Sequence, residues 1–257
     1  MEGERTMTTH QHEHRGHGEH EGLRWGHSWK EEDRVADYVE RMDEQQDERQ
    51  PVFDLLTRLV QAEPDAPVRI LDIGTGYGPV ATACLDAFPN ATAVGMDVSE
   101  AMMEAGRPRM ARFGERFAYM HGDFADGVLP QDVIDAGPYD LVVSARAIHH
   151  LPAELMASLY ASVHGVLNPG GVFFNLDTAS PETDFLRNAM RGARRRDENR
   201  PPREERRTPE QLAHDAMHHH RNATLARHLE WLHAAGFTHV ECFWKNLSLA
   251  LVGGYKV

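Results

Sequence analysis

One stretch of nine residues limits the folds open to this chain more than any other. In Ile70-Leu71-Asp72-Ile73-Gly74-Thr75-Gly76-Tyr77-Gly78 an apolar run meets three glycines at alternate positions. The run reads as a buried strand, and glycine lets the backbone turn sharply and approach a ligand closely. A helix opening at Pro79 adds unpaired N–H groups at the same place. Strand, glycine loop and helix together predict one unit of an α/β sheet with a ligand at the loop, and Asp72 reads as a brace for that loop. A second strand, Ala91 to Met96, ends at Asp97, 19 residues after Gly78. A carboxylate there can accept both hydroxyls of a ribose. Its blander reading is a carboxylate favoured by the start of the helix that Ser99 caps.

The same alternation continues along the chain. Strands are expected at Phe117 to Met120, Asp140 to Ser144 and Val172 to Leu176, with helices between them, which predicts a doubly wound, mainly parallel sheet covered on both faces. Two closing strands, Val240 to Trp244 and Leu247 to Val252, are joined too tightly for anything but a bend or hairpin. They bring the sheet to seven strands with an antiparallel edge. Ahead of the sheet, Val35, Tyr38, Val39 and Met42, and then Val52, Phe53, Leu55, Leu56, Leu59 and Val60, recur at helical spacing, with Pro51 placed at the start of the second helix. The expected organisation is a His-rich disordered tail over residues 1–27, a helical cap over 28–66 and one catalytic domain over 67–257, with 181–227 as a charged, partly helical lid.

Charge narrows the function classes. A formal net charge of -13 gives no general attraction for nucleic acid, and no apolar run reaches the length of a membrane span. The start, MEGERTMTTH, lacks the pattern of a secretory signal, so a cytoplasmic protein acting alone or as a homodimer is expected. Cys84 and Cys242 stand in apolar contexts and read as reduced and buried.

Beyond the glycine loop, the chain resembles the class I S-adenosylmethionine-dependent methyltransferases from about Val68 to Lys256. The resemblance rests on DIGTGYG, the acid in GMDVS, the HGDF segment, YDLVVSARAIHHL, LNPGG and the closing AGFTHVECFWKNLSLALVGGYK. It implies a Rossmann-like methyltransferase fold in which strand seven lies antiparallel between five and six. The cofactor implied is S-adenosyl-L-methionine and the partner a small-molecule acceptor. By the same resemblance Gly74, Thr75, Gly76 and Gly78 would pass under the amino acid part of the cofactor, with Asp97, Val98 and Met102 at the ribose side. Gly122, Asp123 and Phe124 would border the adenine, Ser144, Ala145 and Arg146 would face the methionine and its methyl group, and Tyr38 would cover the cofactor. Asp123 also reads as a turn residue, since Gly-Asp is a common turn pair. Two rival readings compete. A nicotinamide-dependent oxidoreductase would want glycine at the sixth position of G-x-G-x-x-G, where Pro79 stands. The other is a non-catalytic S-adenosylmethionine-binding regulator whose His-rich tail responds to metal.

A sulfonium already activates its methyl group, so the protein mainly has to align the acceptor and keep water out. His149, just after the fourth strand, is the preferred pocket residue and candidate base; His150 beside it is expected either to line the substrate site or to pack. His219, His220, Arg221 and Trp29 are further candidates for the substrate side. Because neighbouring helical side chains point about 100° apart, the run His218-His219-His220 does not make a three-histidine metal site, and no metal is assigned. Finally, residues 187–207 carry nine arginines against four acids in an otherwise acidic chain. They are expected to form a mobile cationic lid over an anionic substrate.

Overall fold

The computed structural model describes residues 32–197 and 223–257. Two helices come first, α1 (Glu32–Glu44) and α2 (Gln46–Leu59). The body then runs β1 (Arg69–Ile73), α3 (Pro79–Ala87), β2 (Thr92–Asp97), α4 (Glu100–Met110), β3 (Phe117–His121), α5 (Gln131–Asp135), β4 (Tyr139–Ala145), α6 (Ala153–Val166) and β5 (Leu167–Thr178). It closes with α7 (Asp184–Asp197), α8 (Leu225–Ala234), β6 (Thr238–Asn246) and β7 (Leu249–Tyr255).

The seven strands form one sheet in the order β3-β2-β1-β4-β5-β7-β6. The first five are parallel, and β7 runs antiparallel between β5 and β6. This is the expected doubly wound architecture. Alternation along each strand divides the core between the two faces. Leu71, Ile73, Met96, Val142 and Phe173 pack on one side against α6 and α8 residues such as Leu159, Tyr160 and Leu232. Ile70, Ala93, Leu141, Val143 and Phe174 pack on the other against Val52, Phe53 and Leu56 of α2 and Val80, Ala81, Cys84 and Leu85 of α3. With both faces covered, the rim formed by the carboxyl ends of the parallel strands is where a ligand can enter.

Two local expectations, on Pro51 and Cys242, need correction. Pro51 does not start a helix; it stands inside α2, on the exposed side, because the acidic first turn of Asp47 and Glu48 already favours a helix start at Gln46. The described part of the lid expected over residues 187–207 lies in the helix α7, with Arg187, Arg191 and Arg194 recurring along it, and residues 198–207 lie outside the described residues. Cys242 is only partly buried, its thiol donating to the Trp244 carbonyl at 3.4 Å. The hairpin is as tight as expected: Asn246 pairs with Leu249, leaving Leu247 and Ser248 as the turn, with Leu247 at φ 51°. No helix among the described residues is long and apolar enough to cross a membrane.

Candidate active site

A cavity of about 890 Å³ opens along the carboxyl rim of the sheet, from the end of β2 to the β6–β7 turn. The glycine loop forms its floor. Gly74 has φ +67°, and a Cβ there would lie 2.2 Å from the Cβ of Ala147, so only glycine lets the loop lie against the segment after β4. Gly76 has φ +56° and faces Met102. Gly74, Thr75 and Gly76 all line the cavity, whereas Gly78 caps α3 and faces Met110.

Asp72 is buried beneath this loop. Its Oδ2 accepts from Thr75 Oγ1 at 2.8 Å and from the Ala81 N–H at 3.2 Å, while Oδ1 has no partner. Burial pushes its carboxyl up to about 7 against the pull of those two hydrogen bonds. Asp72 thus pins the loop to the start of α3, as a brace would. Asp97 is different. Its Oδ2 accepts the Gly76 N–H at 2.8 Å and its Oδ1 the Ser99 N–H at 2.8 Å, and the residue lines the cavity. One carboxylate therefore clamps the glycine loop to β2 while it lines the cavity. Burial raises its pKa, opposed by the N–H donors of Ser99, Gly76 and Val98.

Around this clamp the walls are apolar. Val98, Met102 and Phe124 line the cavity on the β2 side. Tyr38 and Met42 of α1 cover it, fixed by a small core of Val35, Val39, Met42, Tyr77 and Met102. The Arg109 guanidinium grips both oxygens of Asp43, at 2.7 and 2.5 Å, and ties this cover to α4. Two residues expected at the adenine are placed elsewhere. Gly122 is buried behind the wall. Asp123 is exposed, and its Oδ1 accepts the Ala125 N–H at 2.8 Å, which is the turn role. Ser144 also sits behind the wall, its hydroxyl donating to the Ile73 carbonyl at 2.8 Å, while Ala145 and Arg146 line the cavity.

The adjacent histidines part company. His150 lines the cavity. His149, expected there, does not: its backbone N–H donates to Asp177 Oδ2 at 3.0 Å and its Nδ1 lies 2.7 Å from Asp177 Oδ1. Burial would raise the Asp177 carboxyl, but the imidazole and the N–H groups of Thr178 and His149 outweigh it and hold the pKa at about 2. The sequence reading missed Asp177, although it stands one residue from the end of β5 much as Asp97 ends β2. A second buried set links Asn175, Tyr160 and His228: the Asn175 amide donates to Tyr160 Oη at 3.0 Å, which lies 2.7 Å from His228 Nδ1. The far wall is completed by Thr178, Ser180, Arg187, Met190, Arg191, Arg194, Trp244 and residues 246–249. Trp29, His219, His220, Arg221 and the His-rich tail lie outside the described residues.

A glycine loop and a clamping acid at the ends of adjacent parallel strands define a doubly wound α/β protein that binds a nucleoside-containing cofactor. Comparison makes this more specific. Residues 70–171 match the family model described as a methyltransferase domain. The chain is 28% identical over 222 residues to trans-aconitate 2-methyltransferase of Methylobacterium nodulans, covering 86% of this chain and 74% of that one. In fold it is similar to an O-methyltransferase family protein from Burkholderia thailandensis, with a TM-score of 0.62 at 18% identity over 89% of this chain and 61% of that one. It is also similar to human N-acetylserotonin methyltransferase solved in complex with SAM, with a TM-score of 0.58 at 16% identity over 89% and 57%. The chain spans 5% of the length of two further curated relatives and 26% of a third. In sequence and fold the chain is thus similar to the class I S-adenosylmethionine-dependent methyltransferases.

The residues present fit that family's cofactor. Asp97 offers a charged carboxylate at the cavity to a ribose, Val98, Met102 and Phe124 an apolar slot for a flat base, and the glycine loop a floor that a Cβ at Gly74 would disturb.

Proposed function

We propose that the protein transfers the methyl group of S-adenosylmethionine to a small-molecule acceptor bound at the far end of the same cavity. One observation carries the reading. The clamp of Asp97 on Gly76 opens into a single cavity with Arg146, His150 and Thr178 from the ends of β4 and β5. A cofactor held at one end would thus present its reactive carbon to a molecule at the other.

Bound in this way, the cofactor supplies a carbon electrophile already activated by a sulfonium. The chain's own residues then orient and exclude. Asp97 anchors the ribose, the glycine loop lets the chain approach closely, and the cover of α1 over Tyr77 and Met102 keeps water from the reacting atoms. His150 rather than His149 presents a ring to the acceptor, because Asp177 holds His149.

Isothermal calorimetry with S-adenosylmethionine, S-adenosylhomocysteine, NAD and NADP tests the first half of this reading. Incubation with methyl-labelled cofactor and a panel of thiols, phenols, amines and carboxylic acids tests the second. Binding of the first two ligands only, with label transferred to one acceptor class, is the expected result. Tight binding of NAD or NADP with weak binding of S-adenosylmethionine would overturn it.

A further inference from the structure

We infer that neutral His228 latches the Thr178–Ser180 wall of the cavity and that a proton on its ring releases that wall, whatever molecule the cavity holds. The latch begins in a polar chain sunk between α6, α8 and β5. Asn175, Tyr160 and His228 are 0%, 0% and 3% exposed. The Asn175 amide donates to Tyr160 Oη at 3.0 Å, and burial pushes the phenol's pKa up, so the hydroxyl keeps its own hydrogen. That hydrogen is directed at His228 Nδ1, 2.7 Å away. Nδ1 is therefore the bare nitrogen of the ring, and Nε2 carries the hydrogen that goes to the Thr178 backbone.

The helix that carries His228 also holds the other end of this wall. The Ser180 N–H donates to the Ala223 carbonyl at 2.8 Å, beside a bridge from Ser180 to Thr224, the N-cap of α8. The His228 N–H donates to the Thr224 carbonyl at 3.1 Å, which sets the ring one turn from that bridge. Thr178 and Ser180 both line the cavity, and between them the Ala179 N–H is held by the Ser248 carbonyl of the β6–β7 turn at 2.7 Å.

A proton added at Nδ1 sets two donors against each other across 2.7 Å. The hydroxyl could turn only to Asn175, whose Nδ2 already points at it; turning that amide over would satisfy the buried, partnerless Oδ1 and strand the NH2 group instead. Charge adds to the cost. Among the described residues Asp177 of β5 is the one charged group acting on the ring, and it is already engaged by His149. Tyr160 of α6 and Trp231 of α8 itself face the ring as neutral groups, and β6 and β7 bring no charge to it. Burial therefore outweighs Asp177 and the Thr178 backbone and lowers the pKa of the imidazole from 6.5. The released ring titrates near 6.5 and the latched ring below it, so the latch is complete above about pH 7 and weakens as pH falls below 6.5.

Amide hydrogen exchange on the full chain, read as protection factors for Ser180 and for Leu71 at the centre of the sheet, tests this between pH 5 and 8. Protection of Ser180 should fall by about tenfold from pH 8 to pH 5 while Leu71 holds steady, because the released ring binds its proton more tightly by roughly a unit or more. In His228→Gln, whose side-chain oxygen can still accept from Tyr160 but does not titrate, the fall should vanish. Tyr160→Phe, which strands the Asn175 amide and His228 Nδ1, should lower Ser180 protection already at pH 8. The NMR titration of the His228 ring adds a check that needs no variant, since its midpoint must coincide with that of the Ser180 change. No fall in the wild type, an equal fall in His228→Gln, a fall shared by Leu71, or a ring that titrates at 6.5 or above would each overturn the inference, and none of these results bears on methyl transfer.

Discussion

His149 Nδ1 lies 2.7 Å from Asp177 Oδ1, joining a histidine just after β4 to an acid near the end of β5 across 28 residues of sequence. The Asp177 side chain is 3% exposed and that of His149 17%, so the pair is largely shielded from solvent. Asp177 owes its low pKa to this partner and to its N–H donors. The pair ties the segment after β4 to the end of β5 beside the cavity.

The first prediction follows from this contact. His149→Phe leaves the buried Asp177 without its imidazole and should destabilise the protein by about 3 kcal/mol, read as a lower urea midpoint. His149→Phe combined with Asp177→Asn should recover part of that loss, because no buried charge then lacks its partner. Equal midpoints for wild type and His149→Phe would show that the pair contributes nothing.

Asp97→Ala should weaken S-adenosylmethionine binding by about 2 to 3 kcal/mol, roughly a hundredfold, since two charged hydrogen bonds to the ribose disappear. In the wild type, affinity should fall as pH drops, because the protonated carboxyl accepts poorly. With the Asp97 pKa raised by burial, the fall should begin above the ordinary carboxylate range. Calorimetry from pH 4 to 8 checks both statements, and wild-type affinity in the alanine variant defeats the first.

Gly74→Ala should cost roughly 2 to 3 kcal/mol, since its Cβ would sit 2.2 Å from that of Ala147 and its backbone has φ +67°. Removing the second Cβ with Ala147→Gly should return the clash portion and leave about 1 kcal/mol of backbone strain. If the double variant is no more stable than Gly74→Ala, the close approach is not the cause.

The Asp72 carboxyl, raised to about 7 chiefly by burial, makes stability depend on pH. Between its unfolded value near 4 and its folded value the native state binds the proton more tightly, so this contribution is complete below about pH 4 and lost as pH rises through 7. Asp72→Asn, which keeps an oxygen for Thr75 and Ala81, should show a flatter stability profile from pH 4 to 8, with its difference from wild type shifting steadily in favour of the variant. Parallel profiles would mean that Asp72 titrates alike in the folded and unfolded chains.

The glycine loop, Asp97 and the strand order could be read from sequence because local rules dictate them. An apolar run that ends in alternating glycines has few other uses, and an acid at the end of the next strand belongs beside it. Sequence says least where pairing is set by space alone. Nothing near Asp177 in NLDTAS points to a histidine 28 positions earlier, so the sequence alone puts His149 in the pocket and gives Asp177 no partner. Asp123 stands in a segment where turn chemistry and ligand contact look alike. In α7 the arginine surplus was plain, yet Arg187, Arg191 and Arg194 were read by composition when their spacing already described one face of a helix.

The reversed direction of β7 has a further consequence. A parallel strand brings only its carboxyl end to the cavity rim, and the chain must then cross over the sheet to return. Because β7 runs the other way, β6 and β7 meet at that rim in a turn of two residues, and residues 246–249 line the cavity without any crossover. The family match, residues 70–171, stops short of this turn and of α7. Lengthening or recolouring the hairpin and α7 would therefore reshape one wall of the cavity while leaving the glycine loop and Asp97 untouched.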